Sequence, residues 1–202
     1  MAWTATTDLS DQFFSDVIGM CSRLGCAPLD LLGVAGYESG VRALAHNPNG
    51  DASGLWQLMP ATARGLGWDV TNDPHLANFR ALGPVGQLPW FEKYFRPYKG
   101  ELVSSSACYV AVFLPALLPH AGDPTFILCG ESGPLAWAYK ANSNFDTGKT
   151  GVIRVSDLES AIQRARNNLG SRWTEIVERV NAGLPAAQLV AVDEAARYAS
   201  TT

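Results

Sequence analysis

The residue types best suited to acid–base chemistry gather between Glu38 and Pro60. Glu38 stands in the last turn of a stretch that reads as an apolar helix. A loop follows, His46-Asn-Pro-Asn-Gly-Asp-Ala-Ser-Gly54, and then Gly54-Leu-Trp-Gln-Leu-Met-Pro60. A carboxylic acid acts as a general acid at neutral pH only if its pKa is raised, and apolar surroundings do this by disfavouring the ionised form. Glu38 has apolar sequence neighbours, and a helix C-terminus carries partial negative charge that also opposes ionisation. The position equally suits a solvated helix-end Glu with no chemistry, so its surroundings must decide.

Two helices and a loop must place these groups. Phe13, Phe14, Val17, Ile18, Cys21 and Leu24 recur at three- and four-residue steps, with Gly25 placed to end the helix. A second helix begins at Pro28, runs through Leu31, Leu32, Val34 and Ala35, and stops at Ser39-Gly40, carrying Glu38 in its last turn. In the loop at 46–54 the Asn, Pro, Gly, Asp and Ser residues favour turns over regular elements. Pro60 restarts a short helix ending near Gly65-Leu-Gly67, and Asn72-Asp-Pro74 reads as the entry to another. Further helices are expected at about 89–96, 104–118, 134–141, 157–169 and 172–181. One short strand is expected at Val152-Ile-Arg-Val155. The fold class is all-α with at most a minor hairpin, in one domain over 1–184 whose C-terminal helical appendage starts at about 146. An Ala-rich tail at 185–202 is either a last helix or a frayed end.

Composition narrows the function classes. Of 202 residues 47% are hydrophobic and 17% charged, enough apolar material for one packed core. A net charge of −4 without a run of like charges excludes a basic face for nucleic acid. The longest apolar stretch, Tyr109 to Leu118, is about half the ~20 residues of a membrane span and is interrupted by Pro115. Cys21, Cys26, Cys108 and Cys129 form no Cys-x-x-Cys pair and are expected as buried thiols. His46, His75 and His120 are not at metal-ligand spacing, so neither a metal nor another cofactor is expected.

The stretches Ala35-Gly-Tyr-Glu-Ser-Gly40, Asn47-Pro-Asn-Gly50 and Ser53-Gly-Leu-Trp-Gln-Leu-Met-Pro-Ala-Thr-Ala63 closely resemble the soluble lytic transglycosylase family, which shares the fold of goose-type lysozymes. Trp56 replaces the family's usual Met. The resemblance implies that Glu38 is the sole catalytic acid/base, that Ser39 supports its carboxyl, and that Ser53, Trp56, Gln57 and Met59 line a sugar groove. An amide at Gln57 can hydrogen-bond an N-acetyl or hydroxyl group, and Trp56 offers a flat face to a sugar ring, although Trp56 and Met59 would serve equally well in a core. The family's third motif, Ala-Tyr-Asn on a later helix, puts a Tyr hydroxyl near the catalytic Glu. Two partial matches exist. Ser106-Ala-Cys-Tyr109 has Val110 in place of Asn, and Ala138-Tyr139-Lys-Ala-Asn142 comes later in the chain; Tyr109 is favoured by its spacing from Gln57.

Beyond that, Asn142 through Leu158 resembles the C-terminal part of phage-type transglycosylases. On a calcium-loop template Asp146, Gly151, Ile153 and Asp157 fall at positions one, six, eight and twelve, but Gly148 and Thr150 stand where strong sites place carboxylates or amides. A structural turn is expected, with Asp157 capping the following helix. The resemblance implies peptidoglycan glycan strands as substrate, cut at the β-1,4 MurNAc–GlcNAc bond with a 1,6-anhydro product. Alternatives are a goose-type lysozyme or phage endolysin that uses Asp51 as a second carboxylate, and an inactive wall-docking protein of a virion. No Lys or Arg precedes Arg23, so the basic start of a secretory signal is missing. Delivery within a phage particle, in company with other virion or tail proteins, is the resulting expectation.

Overall fold

The computed structural model describes residues 9–184; the Ala-rich tail lies outside the described residues. Nine α-helices are present among the described residues. Helix α1 (Asp11–Leu24) starts at Ser10, whose Oγ accepts from Phe13 N–H at 3.2 Å, and ends at Gly25 in the left-handed region, φ 75°. Its buried face is Phe13, Phe14, Val17, Met20, Cys21 and Leu24. Helix α2 (Pro28–Ser39) has proline in its first turn and Gly40 at φ 65° after its last residue. Leu31, Leu32, Val34 and Ala35 are all fully buried, so α2 is sheathed on several sides and not laid on a core by one stripe.

Helix α3 (Pro60–Gly65) and α4 (Ala77–Ala81) are short. Helix α5 (Gly83–Phe95) begins six residues before the expected start at 89. Proline both opens helices and, at a cost of about 3 kcal/mol, survives inside them when packing compensates. Pro89 does the second: Leu88, Phe91 and Phe95 around it are core residues. Helix α6 (Ser105–Phe113) is capped by Ser104 and buried from Ser105 through Ala111. The helix expected to reach 118 stops at Phe113, because Pro115 lacks an N–H and forces Leu114 out of helical geometry (φ −143°, ψ 72°). A 3-10 segment, Pro115–His120, follows.

The expected strand is present as β2 (Val152–Arg154). Its antiparallel partner, β1 (Ile127–Gly130), was not anticipated from sequence. Between them lies α7 (Ala136–Asn142). Asp157 Oδ2 accepts from Arg154 N–H at 2.7 Å, the expected cap of α8 (Val155–Leu169), and α9 (Ser171–Ala182) completes the chain described.

Helix α2 is packed by α6 on one side and α8 on another, with α1 and α9 also touching it. Close approach of α8 depends on Gly33, where a Cβ would stand 2.5 Å from an Arg166 guanidinium nitrogen. Arg166 spans the interface, donating to Leu29 O (3.1 Å) and Ser105 Oγ (2.6 Å). Mostly helical, with one two-stranded ribbon, the architecture fixes the C-terminal end of α2 from every side. Among the described residues no single helix is long and apolar enough to cross a membrane.

Candidate active site

Glu38 is the penultimate residue of α2, and two successive left-handed residues, Gly40 and Val41 (φ 56°), turn the chain sharply away after it. For a β-branched residue this geometry is costly and must be held. Val41 N–H donates to Ala35 O at 3.1 Å, and the buried Arg172 of α9 donates to Val41 O at 3.0 Å. Ser39 Oγ donates to Leu55 O (2.7 Å), lies 3.0 Å from Ala35 O and accepts from Arg42 N–H (3.1 Å). Ser39 therefore welds the helix end to the following loop. It does not hydrogen-bond the Glu38 carboxyl, as had been expected of it.

The loop is organised by backbone pairing of Ser53 with both His46 and Leu58. Gln87 of α5, fully buried, lies beneath it: its Oε1 accepts from Leu55 N–H (3.1 Å) and its Nε2 donates to Ala43 O (2.8 Å). Gly54, at φ 81°, lets this side chain approach, since a Cβ there would be 2.5 Å from Gln87 Oε1. Gln57, at φ 48°, is held by a 3.0 Å bond from its Nε2 to Gly54 O.

Together these elements surround a pocket of about 580 Å³ lined by Glu38, Tyr37, Arg42, His46, Asn47 and Gln57 on one wall and by α8 residues on the other. Gln57 also borders a smaller cleft of about 70 Å³ with Met59, Thr62, Tyr94 and Val112. It thus borders both depressions. Glu38 keeps part of its surface open to the pocket while protein surrounds its carboxyl; that burial pushes its pKa up to about 7, against a smaller opposing pull from a hydrogen bond with the Tyr109 hydroxyl. Tyr109, 4% exposed on α6, is itself pushed well above the usual phenol range by burial and by the nearby Glu38 carboxyl. Tyr37 packs 5.3 Å from the Tyr109 ring and 5.1 Å from Phe145, and Asn144 donates to its hydroxyl at 2.6 Å.

Of the residues singled out in the sequence, Glu38, Ser39, Gln57 and Tyr109 are brought together, and Trp56 and the 45% exposed Met59 border the adjoining cleft. Trp56 shows the cleft little of its surface, being 3% exposed: its Nε1 donates to Leu31 O (2.9 Å) and its ring packs on Phe91 and Phe95, an anchoring that suits the core better than a sugar platform. The others lie elsewhere. Ser53 is fully buried, its Oγ bound by Arg80 at 2.8 Å. Tyr139 donates to Asp146 Oδ2 (2.9 Å) and Asn142 to Ala138 O (3.1 Å), away from the residues lining the pocket. Asp146 closes the expected turn, accepting also from Thr150 N–H (2.8 Å) and Gly151 N–H (2.7 Å). Asp51 pairs with His75 Nδ1 at 2.9 Å and does not line the Glu38 pocket. The four cysteines carry free thiols, with Cys21, Cys108 and Cys129 buried and Cys26 partly so.

Sequence reasoning missed Gln87, Tyr37, Arg42 and the α8 wall. Only Tyr37, adjacent to Glu38, carried a local signal.

The family model of the transglycosylase SLT domain matches residues 22–78. No curated protein and no solved structure matches the chain. The match supports peptidoglycan lytic transglycosylase activity in general, with peptidoglycan as substrate. Residues 22–78, which hold Glu38, the ordered loop and Gln57, are thus similar to the transglycosylase SLT domain, and the mostly helical architecture is consistent with a lysozyme-like domain of that kind.

Proposed function

We propose that this protein cleaves the β-1,4 bond between N-acetylmuramic acid and N-acetylglucosamine in peptidoglycan, with Glu38 as the one acid/base and a 1,6-anhydromuramyl end as product. The observation that carries the reading is a buried carboxyl with a pKa raised to about 7 that is, among the described residues, the sole acid lining its pocket. Protonated Glu38 delivers its proton to the glycosidic oxygen as the C1–O bond breaks and positive charge develops at C1 and the ring oxygen. The resulting carboxylate then takes the proton of the C6 hydroxyl of the same muramyl residue, and O6 closes on C1. Bonds and protons balance without a protein nucleophile or a positioned water. The Tyr109 hydroxyl donates to Glu38 most strongly when that group is ionised, between the two steps, and Gln57 offers an amide to the sugar substituents.

A hydrolase would need a second carboxylate to orient water, and Asp51 is engaged by His75 outside the pocket. Mass spectrometry of digested peptidoglycan tests the proposal: 1,6-anhydro ends are expected, and reducing ends would overturn it. Loss of wall clearing in Glu38→Gln, with the fold retained, separates an enzyme from a wall-docking protein. Delivery in a phage particle belongs to the same proposal and is supported by the likeness of 142–158 to phage-type enzymes; detection of the protein in purified particles tests it.

A further inference from the structure

The wall of the Glu38 pocket opposite Gln57 comes from α8, outside the segment that matches the family. Ala161, Arg164, Ala165 and Asn168 recur at helical spacing and face the pocket together. Ala161 is buried and Ala165 half-buried, whereas the longer Arg164 and Asn168 are exposed. Arg164 is exposed, and among the described residues it has no carboxylate partner; its charge acts on the Tyr37 hydroxyl. Arg166, two positions on, contrasts with it, being bound to Leu29, Ser105 and Asp30 in the α2 interface. Arg42 also lines the pocket, its Nε held on Ser39 O at 2.9 Å. Among the described residues Glu38 is the only acid lining the pocket, and while it holds its proton Arg42 and Arg164 leave that lining positive. Asn47 and Asn168 add amide donors at the same opening.

We propose that Arg164 binds a carboxylate on the 3-O-lactyl substituent of the muramyl residue beside the scissile bond, which makes α8 a specificity wall for acidic glycan. The proposal rests on peptidoglycan being the substrate. Two sources present this chemistry: the lactyl acid itself in strands stripped of peptide, and the acids of the stem peptide in strands that keep it. A neutral amino-sugar polymer presents neither. An exposed guanidinium pairing with such a group is worth a modest factor, about threefold to fivefold at low ionic strength, and falls with added salt.

The test compares wild type, Arg164→Ala and Arg164→Lys on stripped glycan strands, on stem-bearing strands, and on both after amidation of their carboxylates. Wild type is expected to show a KM about threefold to fivefold lower for the acidic member of a pair. Arg164→Ala should abolish that preference, and Arg164→Lys should restore part of it. A preference confined to the stripped pair assigns the lactyl acid, and one confined to the stem-bearing pair assigns the peptide acids. A wild type that treats acidic and amidated strands alike, or an Arg164→Ala variant that keeps the preference, overturns the proposal. Should wild type cut none of these strands, the transglycosylase reading fails; calorimetric binding of the same four strands to wild type and Arg164→Ala then decides on Arg164 separately.

Discussion

The Tyr109 hydroxyl, carried by α6, hydrogen-bonds the carboxyl of Glu38 at the far end of α2, and two influences pull the Glu38 pKa in opposite directions: burial raises it, the phenol lowers it, and it comes to rest at about 7. The buried phenol does not ionise at neutral pH, so its O–H stays available to donate to Glu38, and such a donor favours the charged carboxylate.

Rate and pH should follow from that balance. The protonated acid starts the reaction, so kcat/KM should fall about tenfold per pH unit above about 7. Tyr109→Phe removes the lowering influence, and its alkaline limb should move upward. Its kcat should drop about tenfold or more, because the carboxylate that forms in the transition state loses a charge-assisted hydrogen bond. A limb that moves downward or stays in place would remove Tyr109 from the acid–base machinery.

Stability should carry the same signature with a definite sign. Glu38 has a folded pKa of about 7 against an ordinary value of 4.5. Below about 4.5 the group is protonated in both states and costs the fold nothing. Between about 4.5 and 7 the unfolded chain releases the proton while the folded one keeps it, so stability declines; above 7 the loss is complete, at about 3 kcal/mol. Glu38→Gln should therefore match wild type at pH 4 and exceed it in denaturant titrations at pH 8. Equal stability at pH 8 would falsify the raised pKa.

What the sequence disclosed divides along a physical line. Helices α1 and α2 were legible because their periods, prolines and glycines are local, and the candidate acid was legible because it sits on one of them. Strand β1 was not, since Ile127-Leu-Cys-Gly130 has meaning only against β2, more than twenty residues on. Trp56 looks the same from sequence whether its ring meets a sugar or Phe91. Spacing from Gln57 already favoured Tyr109 over Tyr139, and the packing of α6 on α2 supplies the physical reason. Gln87 holds groups 32 and 44 residues away, and nothing near it in sequence announces that.

Trp56 offers a direct check on this division. Met is the usual family residue there, so Trp56→Met should fold. It would nevertheless leave the Leu31 carbonyl without its indole donor and forfeit the ring contacts with Phe91 and Phe95, a loss of about 2–4 kcal/mol. Because Trp56 is only 3% exposed where it borders the cleft, KM for glycan strands should stay within about twofold at temperatures where the variant is folded. A KM raised tenfold with unchanged stability would return Trp56 to the sugar site.

Gly54 tests how the loop that presents Gln57 is held. A Cβ at this position would adopt an unfavourable left-handed φ of 81° and meet Gln87 Oε1 at 2.5 Å and Phe79 Cε1 at 3.0 Å. If Gln87 withdraws, Leu55 N–H and Ala43 C=O lose their partner in a buried setting, so Gly54→Ala should cost about 2–4 kcal/mol and raise KM through displacement of Gln57. Gln87→Ala removes the same two bonds directly. The two lesions share one cause, so the double variant should be destabilised by far less than the sum of the singles, with a coupling of about 1–2 kcal/mol in a double-mutant cycle. Additive losses would mean that Gly54 is needed only for its backbone angle, and that the Gln87 contacts do not depend on its missing side chain.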